Sequence, residues 1–190
     1  MKSATKTKDL VLIAMFAALI AVGAFIKIPT PICPITLQTL FTALAGVLLG
    51  SHKGAAACAV YVIIGLAGIP VFTGGGGIFY VLKPSFGYLI GFIAGTYLTG
   101  KIVYGGPLSM MRLLTGCFAG ILVIYAFGLP YCFAACNLWL GNPTRIWPLI
   151  VTGFLTPLPS DIIACVIAAV IGKRLIPIVN REKMVTSAEA

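Results

Sequence analysis

Leu10-Val-Leu-Ile-Ala-Met-Phe-Ala-Ala-Leu-Ile-Ala-Val-Gly-Ala-Phe-Ile26 is an unbroken apolar run. It approaches the roughly 20 residues that a helix needs to cross a bilayer core of about 30 Å. Lys2, Lys6 and Lys8 precede it, and Val22-Gly23-Ala24 imitates a cleavage site, so the segment resembles a secretory signal. It is nevertheless longer than the 7–15 apolar residues typical of a signal core, and further runs follow, which predicts an uncleaved first helix.

Those further runs are Thr36 to Gly50, Gly54 to Val71, Pro84 to Gly100, Leu113 to Leu140 and Pro159 to Gly172. The segment Ile146 to Thr156 is too short to span alone before Pro157 and Pro159, and reads as a half-helix or re-entrant piece. Of the 190 residues 60% are hydrophobic and 9% charged, far below the roughly 25% charged of soluble domains. The mean hydropathy is +1.10. The expected fold is an all-α integral membrane protein, a bundle of about six transmembrane helices forming one membrane domain over residues 1–190. Residues 1–8 and 176–190 are expected to be cytoplasmic tails.

The net charge of +9 does not indicate nucleic acid, because the basic residues stand singly between apolar runs and form no stripe. They carry topology instead. With both termini in the cytoplasm, Lys2, Lys6, Lys8, Lys53, Lys101, Arg112, Lys173, Arg174, Arg181 and Lys183 fall inside, and Lys27, Lys83 and Arg145 outside, as the positive-inside rule requires. No internal inverted repeat is evident.

Enzymatic chemistry finds little support. His52 is the sole histidine, set beside Lys53 in an expected loop remote from Asp161, so no nucleophile–base constellation emerges. Gly95-Thr-Tyr-Leu-Thr-Gly-Lys101 fits a phosphate-loop spacing but continues with Ile102, where magnesium binding needs Ser or Thr, and it ends a membrane helix. The six cysteines lie mostly in apolar runs without metal-ligand spacing and read as small hydrophobes. No metal and no cofactor is expected.

Asp161 is the sole acidic residue in the apolar body. An intramembrane carboxylate costs several kcal/mol unless it is paired, hydrated or close to an interface, and such residues commonly face a cavity. Ligand contact competes here with helix capping, since Pro159-Ser160-Asp161 also suits a helix start. Ala164, Cys165, Ala168 and Gly172 follow on the same face, leaving either a cavity or a close helix contact. Between helices 3 and 4, Thr73-Gly-Gly-Gly-Gly77 with Tyr80, Lys83 and Tyr88 reads as a pocket-forming loop, Gly75 and Gly76 permitting close backbone approach; a mobile loop with a snorkelling Lys83 is the alternative. In helix 1, the pairs Ala14/Ala18 and Ala17/Ala21 lie four apart and allow another helix to approach, from this chain or a partner.

Ile28-Pro-Thr-Pro-Ile-Cys-Pro-Ile-Thr-Leu-Gln-Thr-Leu-Phe41, Leu48-Leu-Gly50, Gly65-Leu-Ala-Gly-Ile-Pro-Val-Phe72, the glycine run, Pro84-Ser-Phe-Gly-Tyr-Leu-Ile-Gly-Phe92 and Leu158-Pro-Ser-Asp161 resemble, in order, the motifs of the BioY family. That family comprises the biotin-binding membrane subunits of energy-coupling-factor importers. The resemblance implies a six-helix subunit of a bacterial or archaeal plasma membrane, without enzymatic activity. It would bind biotin from outside, pair with a transmembrane coupling subunit and two ABC ATPases, and dock through Ala14 and Ala18.

It also implies a ligand-binding role for Asp161, accepting hydrogen bonds from ureido N–H groups, with Gln38 and Tyr88 at matching positions. The chain departs from the family pattern at Ala164, where a lysine is frequent, at Leu89, where a basic residue follows the Gly-Tyr pair, and in the glycine run, where some members have asparagine. Lys83 is the expected replacement partner for the ligand carboxylate. Another vitamin in the same kind of subunit, or a self-sufficient carrier or channel, are the alternative functions.

Overall fold

The computed structural model describes residues 2–30, 33–141 and 144–179. Among these, helix α1 is Lys2–Phe25, and it runs on through the segment expected as an N-terminal tail. A two-residue antiparallel ladder follows, strands β1 (Lys27–Ile28) and β2 (Ile35–Thr36), pairing Lys27 with Thr36 and Ile28 with Ile35. The intervening prolines, including Pro29 and Pro34, cannot donate to a ladder and keep it short.

Helices α2 (Gln38–Leu49) and α3 (Ser51–Leu66) are separated only by Gly50, whose φ of +84° ends the first and redirects the second. At about 1.5 Å per residue, α2 reaches only some 18 Å and does not cross a bilayer core by itself. A 3-10 turn, Ile78–Leu82, follows the glycine run and leads into α4 (Phe86–Val103). Helix α5 (Met110–Ala134) begins with the Ser109 hydroxyl accepting from Arg112 N–H.

The last run differs from expectation. Residues 146–178 form one helical stretch, not a separate half-helix followed by a span. Helix α6 (Ile146–Ile150) passes through a π-turn, Val151–Leu155, into α7 (Leu158–Val179). Pro157 and Pro159 lack N–H groups and would break a regular ladder, and the π-turn absorbs the mismatch: Thr156 N–H bonds to Val151 O at 2.9 Å and Asp161 N–H to Pro157 O at 3.1 Å. Four helical runs among the described residues are long and apolar enough to cross a membrane, Lys6–Phe25, Phe86–Val103, Met110–Trp139 and Ile146–Ile178, with α2 and α3 as shorter apolar helices. The protein is thus a helical membrane bundle.

Glycine sets the tightest packing. A Cβ on Gly91 of α4 would lie 2.8 Å from Ile124 Cα, and one on Gly95 2.6 Å from Gly120 O, so α4 and α5 touch backbone to backbone. Thr99 Oγ1 donates across this seam to Gly116 O at 3.1 Å. The small face of α7 resolves as packing: Ala164, Cys165 and Ala168 are buried, Cys165 and Ala168 within the core that α2 shares through Ala45 and Val47. All six cysteines are buried.

Candidate functional site

The two-residue ladder, the start of α2, the glycine loop and the first turns of α4 and α7 gather at one end of the bundle, around a cleft between α2, α3, α4 and α5. Its inner chamber has a volume of about 60 Å³ and is lined by, among others, Gln38, Thr39, Tyr61, Tyr88, Tyr125 and Asp161. A wider vestibule of about 260 Å³ adjoins it, bounded by Lys27, Thr30, Gly74 and Lys83. Pro34, Thr73, Tyr80 and Ser85 border both spaces.

Asp161 sits in the first turn of α7, 8% exposed. Its carboxylate accepts from the Tyr125 hydroxyl, on α5, and Thr39, on α2, lines the same chamber. The side chain is therefore turned into the cleft and does not cap its helix; Ser160, its neighbour, donates to Pro157 O at 2.7 Å. A carboxylate offers about four lone-pair positions, so the bond from Tyr125 leaves it able to accept from a ligand.

Gln38 opens α2 at 3% exposure. Its Nε2 donates to Tyr61 Oη at 2.8 Å, Tyr61 Oη donates to Val71 O at 3.2 Å, and Gln38 Oε1 accepts from Thr36 Oγ1 at 3.2 Å. This chain of bonds ties the ladder, α2, α3 and the start of the glycine loop into one wall. Tyr88, from α4, contributes its ring: the hydroxyl is committed to Gly153 O of the π-turn at 2.9 Å, and the ring stands edge-on to Tyr125, which in turn packs edge-on against Phe154 at 4.8 Å. The walls are aromatic and the convergent polar groups few, the composition of a small-molecule pocket.

Lys83 lies outside the inner chamber, in the vestibule, where its ammonium donates to Gly74 O at 2.7 Å and stands 5.0 Å from the Tyr80 ring centre. Thr73 and Gly74 border these spaces, while Gly75 and Gly76 shape the loop behind them. Gly75 has φ +109° and pairs with Phe72, and a Cβ on Gly76 would lie 2.8 Å from the Ile69 carbonyl carbon.

Reading the sequence alone passes over Tyr125, Thr39 and Tyr61. The signal is faint but present: a tyrosine in the middle of an apolar helix must find a partner for its hydroxyl. Ala14 and Ala18 are exposed on α1 while Ala17, one residue before Ala18, is buried, so the two alanine pairs point to different surroundings.

Comparison with known proteins agrees with this architecture. The sequence model described as "BioY family" matches residues 1–181. The chain is 44% identical to the probable biotin transporter BioY of Lysinibacillus sphaericus over 89% of this chain and 87% of that one. It is 36% identical to the probable biotin transporter BioY of Pyrococcus horikoshii over 90% and 97% respectively. A crystal structure of the S-component for biotin from an ECF-type ABC transporter superposes with a TM-score of 0.69 at 27% identity, covering 92% of this chain and 94% of the other. With its motifs, its bundle and nearly its whole length matched, the chain belongs to the BioY family.

Proposed function

We propose that this chain is the substrate-capture subunit of an ATP-driven vitamin importer and that its ligand is biotin, a bicyclic ureido compound with a carboxylate tail. The observation that carries the reading is the buried Asp161 carboxylate, held by Tyr125 and facing a narrow aromatic chamber. Such a group recognises N–H donors that have themselves left water, and charge-assisted hydrogen bonds to a ureido ring meet that requirement. Gln38, with Tyr61, fixes the opposite wall, Tyr88 supplies an apolar face, and Lys83 receives the carboxylate in the vestibule. Gly75 and Gly76 let the loop close over the ligand.

The cleft opens on the outer side, with both termini cytoplasmic. In support, Lys27 and Lys83, two of the three basic residues assigned to the outside, meet at its mouth, whereas Asp9 and Lys53 pair at 2.5 Å near the opposite ends of α1 and α3. Ala14 and Ala18 present a small-residue patch on α1, flanked by exposed Leu10, Val11 and Met15, suited to a transmembrane helix of a coupling subunit that works with an ABC ATPase pair.

Calorimetric titration of the detergent-purified chain tests the ligand. Saturable biotin binding at one per chain is expected, with riboflavin and thiamine inert; folded protein that ignores biotin contradicts the assignment. Reconstitution tests the class: uptake into vesicles requires the ATPase partners, and uptake by this chain alone under an ion gradient would make it a self-sufficient carrier.

A further inference from the structure

Lys27 has no role in the site as described so far. It stands in β1, exposed, and its ammonium donates to Thr73 O across the gap between the ladder and the glycine loop. Lys83, arriving from the far side of the same loop, donates to the next carbonyl, Gly74 O. Two ammonium groups thus converge on adjacent peptide carbonyls and border one vestibule with Thr30 and Ser85.

A lysine carries three N–H donors, and a neutral carbonyl occupies one of each without compensating its charge. Among the described residues the ion pair is Lys53 with Asp9, and the other described carboxylate, Asp161, lies in the inner chamber. The two cations therefore face the vestibule with unused donors and, among the described residues, no counter-charge. Like charges brought together in this way repel each other, and an anion between them relieves that repulsion. The glycine at position 74 serves the arrangement, since a Cβ there would lie 2.6 Å from Lys83 Nζ.

We infer that Lys27 and Lys83 form a two-ammonium clamp in the vestibule that binds the carboxylate of the ligand whose other end enters the chamber of Asp161. The inference rests on the proposed capture function and adds Lys27, from the ladder, as a second cation that selects for the anionic tail. It also gives the ladder a purpose, because Lys27 couples the segment between α1 and α2 to the anion. When the anion binds, the free N–H groups of both lysines reach it while the carbonyl bonds hold the stems in place.

The test is titration of the wild type, Lys27→Gln, Lys83→Gln, Lys27→Arg and the Lys27→Gln/Lys83→Gln double variant with biotin and with its neutral methyl ester. Glutamine keeps a donor for Thr73 O and removes the charge. The clamp predicts about threefold weaker biotin binding for each single glutamine variant, retention in Lys27→Arg, a loss in the double variant smaller than the product of the two single losses, and no change with the ester. Wild type that binds biotin while Lys27→Gln binds it equally well overturns the clamp alone. An equal loss of acid and ester also overturns it, leaving Lys27 a loop fastener. Folded wild type that binds neither compound overturns the capture function and the clamp with it.

Discussion

The floor and the mouth of the cleft use polar chemistry in opposite ways. At the floor, Asp161 is buried and held by Tyr125, a donor from another helix, with Thr39 beside it in the lining. At the mouth, Lys83 is exposed, sits on a long flexible stem and leans on a glycine carbonyl. A buried, preorganised charge gives strong discrimination because a ligand that fails to match it leaves it unpaired. An exposed charge is screened by solvent and salt and contributes little per contact. Under the proposed function, this difference assigns the vitamin's ring to the floor and its tail to the mouth.

The largest effect is expected from Asp161→Asn. It keeps the shape and replaces the anionic acceptor, so biotin binding should weaken by about 10–100-fold, the equivalent of one hydrogen bond to a charged group. Tyr125→Phe comes next. It removes one donor and leaves the carboxylate less firmly aimed, with about tenfold weaker binding by calorimetry while the bundle stays folded by thermal melting. Lys83→Gln should cost only about 0.2–1 kcal/mol, and the cost should shrink when the titration is repeated at high salt; an effect insensitive to salt would move Lys83 from the mouth into the buried site. Arginine at Ala14 or Ala18 is expected to leave biotin binding by the isolated chain unchanged and to abolish ATP-dependent uptake in vesicles. Weakened binding in those variants would place α1's outer face in the site.

What the sequence disclosed follows the same division. Apolar runs, their spacing and the isolated Asp161 could be read directly, because a carboxylate in a membrane helix stands out against its neighbours. Tyr125 and Thr39 could not, since neither is unusual in a membrane helix and their convergence depends on how α2, α5 and α7 pack. The continuity of α6 with α7 escaped for a related reason: prolines signal a break locally, and only the π-turn between them shows how the helical path is kept. The α4–α5 seam was not read from the sequence: Gly87, Gly91 and Gly95 recur at four-residue intervals, but the α5 backbone they meet, at Phe127, Ile124 and Gly120, becomes evident only in three dimensions.

The central claim, that Asp161 reads the ring while the mouth reads the tail, is tested most directly by titrating wild type and Asp161→Asn side by side with biotin and with its neutral amide. The account predicts that Asp161→Asn loses affinity for both ligands by the same factor, because the tail is not what Asp161 senses. Wild-type affinity for both ligands in the folded variant, or a loss confined to the carboxylate form, would contradict it.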